Sequence, residues 1–80
     1  MKQYKVISID IMDEQKGLRV GDVVTETKIK GKGSVLCRLP KHLYGRGYKG
    51  YNIKIGKNYY KTSNYAWFSL WQLVEIVEQP

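Results

Sequence analysis

The segment DVVTETKIKGKGSVLCRLP, residues 22 to 40, reads as two strands joined by a tight turn. From Asp22 to Ile29 it is β-branched almost throughout, a composition that suits a pleated, half-buried surface. The GKG of residues 31 to 33 supplies turn chemistry, which places the hairpin's reversal near Lys30 to Gly33. SVLCRL, residues 34 to 39, then alternates, with Val35, Cys37 and Leu39 on one face. Pro40 ends the strand because it has no amide hydrogen to give to a ladder.

On the amino-terminal side, YKVISIDI, residues 4 to 11, also alternates and predicts a strand with Ile7, Ile9 and Ile11 together. MDEQKGLRVGD, residues 12 to 22, is polar, with Gly17 and Gly21 bracketing Leu18 and Val20; it reads as a loop that folds back on the first strand. On the carboxy-terminal side, YNIKI, residues 51 to 55, puts Tyr51, Ile53 and Ile55 on one face, Gly56 to Asn58 form a second turn, and Tyr59 to Lys61 begin the return. In YAWFSLWQLVEIV, residues 65 to 77, the apolar residues are too dense for either period to win. Trp67, Phe68 and Trp71 are assigned to the core, Ser69 caps a short turn over Leu70 to Gln72, and Leu73 to Val77 form a last strand. The expected fold is all-β: five or six short antiparallel strands, with one short helical turn before the last strand, forming a small barrel that closes its own edges. A twisted, partly open sheet is the alternative.

Eighty residues make one domain, here residues 1 to 80, with a basic Gly- and Tyr-rich loop at 41 to 50. At 42% hydrophobic and 26% charged the composition is that of a chain with a core. The lone Cys37 excludes an internal disulfide and a cysteine-based zinc site, and is expected to be a small buried residue. No signal peptide and no apolar run of about 18 residues is present, so the expected location is the cytoplasm, away from membranes.

Two stretches resemble a known family. LRVGDVVTE, residues 18 to 26, looks like the entry of SH3-like barrels, where a long first loop leads into a strand. AWFSLWQLVEIVE, residues 66 to 78, resembles their end: a strand, a single helical turn, then a last strand. The arrangement is similar to small SH3-like proteins of bacteriophage and prophage origin, which implies the barrel fold and, if the chain is phage-encoded, the host bacterial cytoplasm. The chain departs from peptide-binding SH3 domains, since no Ala-Leu-Tyr-Asp-Tyr run is present and Ser69 to Gln72 replace the Pro-Ser-Asn-Tyr signature. Proline-rich ligands are not implied.

The charge is unevenly placed. The net charge is +7, yet between Glu26 and Glu75 there is no acid at all, while ten of the 14 basic residues (Lys28, Lys30, Lys32, Arg38, Lys41, Arg46, Lys49, Lys54, Lys57 and Lys61) lie there. Every aromatic residue except Tyr4 lies there too. Nucleic-acid binding needs this pairing, because cations neutralise phosphates and release counterions while aromatic faces stack on bases. The candidate site is Lys28, Lys30, Arg38, Lys41, Arg46, Lys49, Lys54 and Lys61, with Tyr44, Tyr48 and Tyr60 as stacking surfaces. If the strands carrying Lys28, Lys30 and Lys54 are neighbours, a basic stripe crosses the sheet.

The expected function is non-catalytic, non-specific binding of DNA or RNA. The alternatives are a phage-encoded interaction module that docks on an acidic face of a host protein, a structural role in a virion or an oligomer, and a solvated lysine face that protects strand edges. No enzyme, cofactor or metal chemistry is expected: His42 is the only histidine and reads as a solvated loop residue, and no Gly-rich loop leads from a strand into a helix.

Overall fold

A computed structural model describes residues 1–48, 52–61 and 64–77. Seven strands are β1 (Gln3–Val6), β2 (Val23–Gly31), β3 (Ser34–Arg38), β4 (Asn52–Ile55), β5 (Asn58–Lys61), β6 (Tyr65–Ser69) and β7 (Leu73–Glu75). One helix, α1 (Ile11–Lys16), and two 3-10 turns, Lys41–Leu43 and Leu70–Gln72, complete the described elements. Five strands form one antiparallel sheet in the order β6-β3-β2-β1-β7, and β4 pairs with β5 as a separate hairpin. The fold is a small all-β fold consistent with an SH3-like barrel that does not close: β6 and β7 are the outer strands, and no described ladder joins them.

The hairpin of residues 22 to 40 forms with Gly31 opposite Ser34 and Lys32-Gly33 in the turn. Its register shifts between Glu26 and Lys30. Across that irregularity simple alternation fails on β2, whereas on β3 it holds: Val35 and Cys37, followed by Leu39, point into the core with Val6, Leu18, Val24, Leu43, Phe68 and Leu73. Cys37 is a buried free thiol, and burial pushes its pKa up to about 12, so it stays protonated near neutrality.

Three expectations are corrected. The first strand ends at Val6 and not at Ile11, and Ile11–Lys16, read as strand end and loop, is a helix. Asp10 is its N-cap, accepting a 2.8 Å hydrogen bond from the Asp13 amide, and Gly17 ends it at φ 109°, a conformation that favours glycine. The isoleucines therefore do not share a face: Ile9 packs on the core while Ile7 and Ile11 are exposed. Asp10→Ala removes the cap and is expected to cost about 1 kcal/mol, seen as a fall in Tm of about 4–8 °C; a Tm within 1 °C of the parent would show that α1 does not depend on it.

The second correction concerns the tryptophans. β6 alternates, so Ala66 and Phe68 lie opposite Cys37 and Val35 on the core side and Trp67 points outward. Phe68 is 1% exposed, whereas Trp67 is 43% and Trp71 69% exposed. The expected turn at Leu70–Gln72 is present, capped by Ser69, but the residue it buries is Gln72. The Gln72 side chain accepts from the Ser69 amide at 3.0 Å and donates to the Ser8 carbonyl at 3.2 Å, which fastens the turn to the chain leaving β1. Third, β2 is flanked by β1 and β3 and β4 pairs with β5, so no basic stripe arises by pairing β2 with β4.

Candidate nucleic-acid interface

The outer face of the sheet, opposite the core, is organised in rows set by register. Thr25 of β2 pairs with Gln3 on one side and Arg38 on the other, and Arg38 pairs with Tyr65, giving one row across four strands. A neighbouring row runs Val74–Lys5–Val23 across β7, β1 and β2. Directly opposite residues share a face, so Lys5 and Arg38, both exposed, stand on this surface with the apolar Val23 and Val74.

After β3, Pro40 turns the chain into the 3-10 turn Lys41–Leu43. Leu43 donates to the Pro40 carbonyl at 3.0 Å and buries its own side chain completely, so the turn is pinned to the core. Pinning it there sets Lys41 and Tyr44 beside the sheet face. With Gln3, Val23, Thr25, Arg38, Leu39 and Pro40 they line a groove of about 410 Å³. No Asp or Glu among the described residues lines it, and Tyr44 keeps 41% of its surface exposed. Of the expected site residues, Arg38, Lys41 and Tyr44 are thus brought together.

The turn has a second groove on its other side, about 300 Å³, lined by Lys16, Gly17, Arg19, His42, Leu43 and Arg46. Arg46 sits between Gly45 at φ 78° and Gly47 at φ 90°, so the chain bends twice in left-handed conformations that a side chain would disfavour. Arg19 is held by the carbonyls of Leu18 and Glu14. His42 lies 3.0 Å from Asp22 through Nε2 and keeps 51% of its side chain exposed, so it is the solvated loop residue expected, with one carboxylate beside it. Arg46 therefore faces a different groove from Arg38, Lys41 and Tyr44.

The remaining expected residues are dispersed. The Tyr48 hydroxyl donates to Asp13 Oδ1 at 2.8 Å, its ring packs against the core cluster, and Lys16 Nζ stands 4.5 Å from the ring centroid. Burial, then the bond to Asp13, raises the Tyr48 pKa above its ordinary range; burial also raises that of Asp13, against the lowering effect of the same bond. Tyr48 joins loop 41–50 to α1, and one face of its ring is covered by a lysine. Lys28 and Lys30 are exposed toward the far end of β2. Lys54 lies on β4, and Tyr60 and Lys61 on β5. Their side chains, and the whole of Lys49, lie outside the described residues.

Sequence reasoning missed Lys5, Tyr65 and Trp67 on this surface. The alternation in YAWFS was the available signal, since placing Ala66 and Phe68 inward forces Tyr65 and Trp67 outward. Among the described residues no helix is long and apolar enough to cross a membrane. Comparison with protein-family models, with curated proteins and with solved structures found no match.

Proposed function

We propose that this chain is a non-catalytic module that binds DNA or RNA without sequence specificity, with Arg38, Lys41 and Tyr44 at the centre of the interface and Lys5 beside them. The observation that supports this most is the groove at the Pro40 turn, where cations and an exposed aromatic ring meet and no described acid intervenes. Arg46, in the groove on the other side of the turn, and Lys28 and Lys30, toward the far end of β2, add positive charge around this centre without lining it, and Lys49, Lys54, Tyr60 and Lys61 belong to the same proposed set. A bacteriophage origin and a place in the host cytoplasm fit this reading.

The test is anisotropy of labelled DNA and RNA titrated with protein at several salt concentrations. With Lys5, Arg38 and Lys41 each engaging a phosphate, log K against log salt should fall with a slope of about −2 to −3, and binding should survive at about 0.15 M salt. A slope near zero, or binding seen only at very low salt, would leave the lysines as a solvated face.

A second reading, docking on an acidic face of a host protein, has its own support. Leu70 and Trp71 are both exposed on the turn before β7, and exposed aromatic anchors are typical of protein contacts. Under that reading salt alters the association rate more than the final affinity.

A further inference from the structure

Trp67 lies on the outer sheet face, directly opposite Leu36 of β3. A Cβ placed on Gly31 of β2, one strand further on, would come within 3.4 Å of the Trp67 indole. From β6 to β2 is two interstrand spacings, about 9.6 Å, and an indole that approaches β2 from β6 must lie down along the sheet. Leu36, the residue between, is 0% exposed although it stands outside the main core cluster, as expected of a side chain roofed by that ring. Trp67 itself is 43% exposed. One indole face thus covers Leu36 and the other meets solvent.

The surroundings of that face are not those of a simple apolar patch. Tyr65, two residues along β6 and about 6.8 Å away, shares the face and pairs with Arg38, which leads to Lys41 and Tyr44. At the other end lies Gly31, followed by the exposed Lys32 in the turn, while Lys30 pairs with the core-facing Val35 and so belongs to the other face. Arg38 to Ser34, the partner of Gly31, spans four residues of β3, about 13 Å. Tyr65 and Trp67 thus form a short aromatic track with Arg38 at one end and Lys32 in the turn beyond the other, and along β6 both rings also line a pocket with Asp13, Lys16 and Tyr48.

We infer that the polyanion held on this face is single-stranded, and that Trp67 is a platform on which one of its bases stacks; the inference rests on the nucleic-acid reading above. In a duplex the base faces are occupied by one another and only edges and phosphates reach a protein, so a flat indole gains little. An unpaired strand offers a face for each ring, and stacking of this kind tolerates any base, in keeping with non-specific binding.

The chain has two tryptophans, so in a Trp71→Phe protein all indole emission comes from Trp67. The probes are dT12, rU12 and a 12-base-pair duplex, read by anisotropy and by Trp67 emission at about 0.15 M salt. The expected result is saturable quenching by dT12 or rU12 and little by duplex. Trp67→Leu, which keeps an apolar cover over Leu36, should weaken single-strand binding about 5- to 150-fold and change duplex binding about twofold or less, while Trp67→Phe retains most of the affinity. Unequal responses to dT12 and rU12 would identify the natural strand. Binding of both probe classes with unchanged emission, or equal losses on both in Trp67→Leu, overturns the single-strand inference and leaves nucleic-acid binding standing. Failure of every probe to bind overturns both. The emission experiment leaves Trp67 unaltered, so it decides the matter even if Trp67→Leu fails to fold.

Discussion

Phe68→Ala is expected to abolish or nearly abolish cooperative folding at 37 °C, whereas Trp71→Ala, three residues along and a larger truncation, is expected to shift Tm by only a few degrees. Phe68 is 1% exposed and meets Val35 across the β3–β6 ladder, at the centre of the core cluster. Removing a buried phenyl ring loses its transfer free energy and leaves a cavity that the sheet cannot collapse into, about 3–5 kcal/mol in total. An 80-residue domain has only about 4–12 kcal/mol of stability to lose, and each kcal/mol moves Tm by about 4–8 °C at this size. Trp71, 69% exposed on the turn before β7, has little burial to forfeit, so its loss belongs with ordinary surface changes of about 0.5 kcal/mol. Thermal melts followed by near-ultraviolet circular dichroism measure both. Comparable losses for the two variants would mean that Trp71 is packed inside, contrary to its place on the 3-10 turn.

The contrast between these residues also shows where a sequence stops informing. The hairpin at residues 22 to 40 was legible because Val35, Cys37 and Leu39 keep a strict period of two and the GKG turn punctuates them; the Ser69-capped turn was legible from one residue's capping chemistry. In YAWFSLW the alternation is present but concealed, since Trp67 and Trp71 are as apolar as the residues they flank, and an apolar residue on the outer face looks the same as one inside. Helix α1 was concealed differently. It buries none of its residues, so hydrophobic periodicity had nothing to report, and only Asp10 and Gly17 at its two ends marked it. The site was half legible. Excess charge and tyrosine between Glu26 and Glu75 are properties of composition, but whether Tyr48 stacks on a ligand or binds Asp13 depends on a contact 35 residues away in sequence. The gathering of Arg38, Lys41 and Tyr44 depends likewise on Leu43 being drawn into the core.

That gathering makes the largest functional prediction specific. Arg38→Glu with Lys41→Glu should weaken nucleic-acid binding at 0.15 M salt at least about 10- to 30-fold and make the salt slope shallower by about 1.4–1.8. Each phosphate contact contributes about 0.7 (single strand) to 0.9 (duplex) to that slope, so two contacts, taken from 1 M to 0.15 M salt, account for roughly that factor before any repulsion from the new carboxylates is added. Arg38 is exposed on β3 and Lys41 lies on a turn held by Leu43, so neither change opens the core, and the melting curve should stay close to the parent's. Lys57→Glu is the control. It alters a lysine in the β4–β5 turn, outside the groove, and should reduce affinity only about twofold through the general field of the protein. If Lys57→Glu changed affinity and slope as much per charge as Arg38→Glu or Lys41→Glu, the protein would be attracting polyanions by net charge alone, and the groove beside the Pro40 turn would have no special part in holding them. A slope change confined to the Arg38 and Lys41 variants places the phosphates beside the outer sheet face, where Tyr44 is within reach of the same strand.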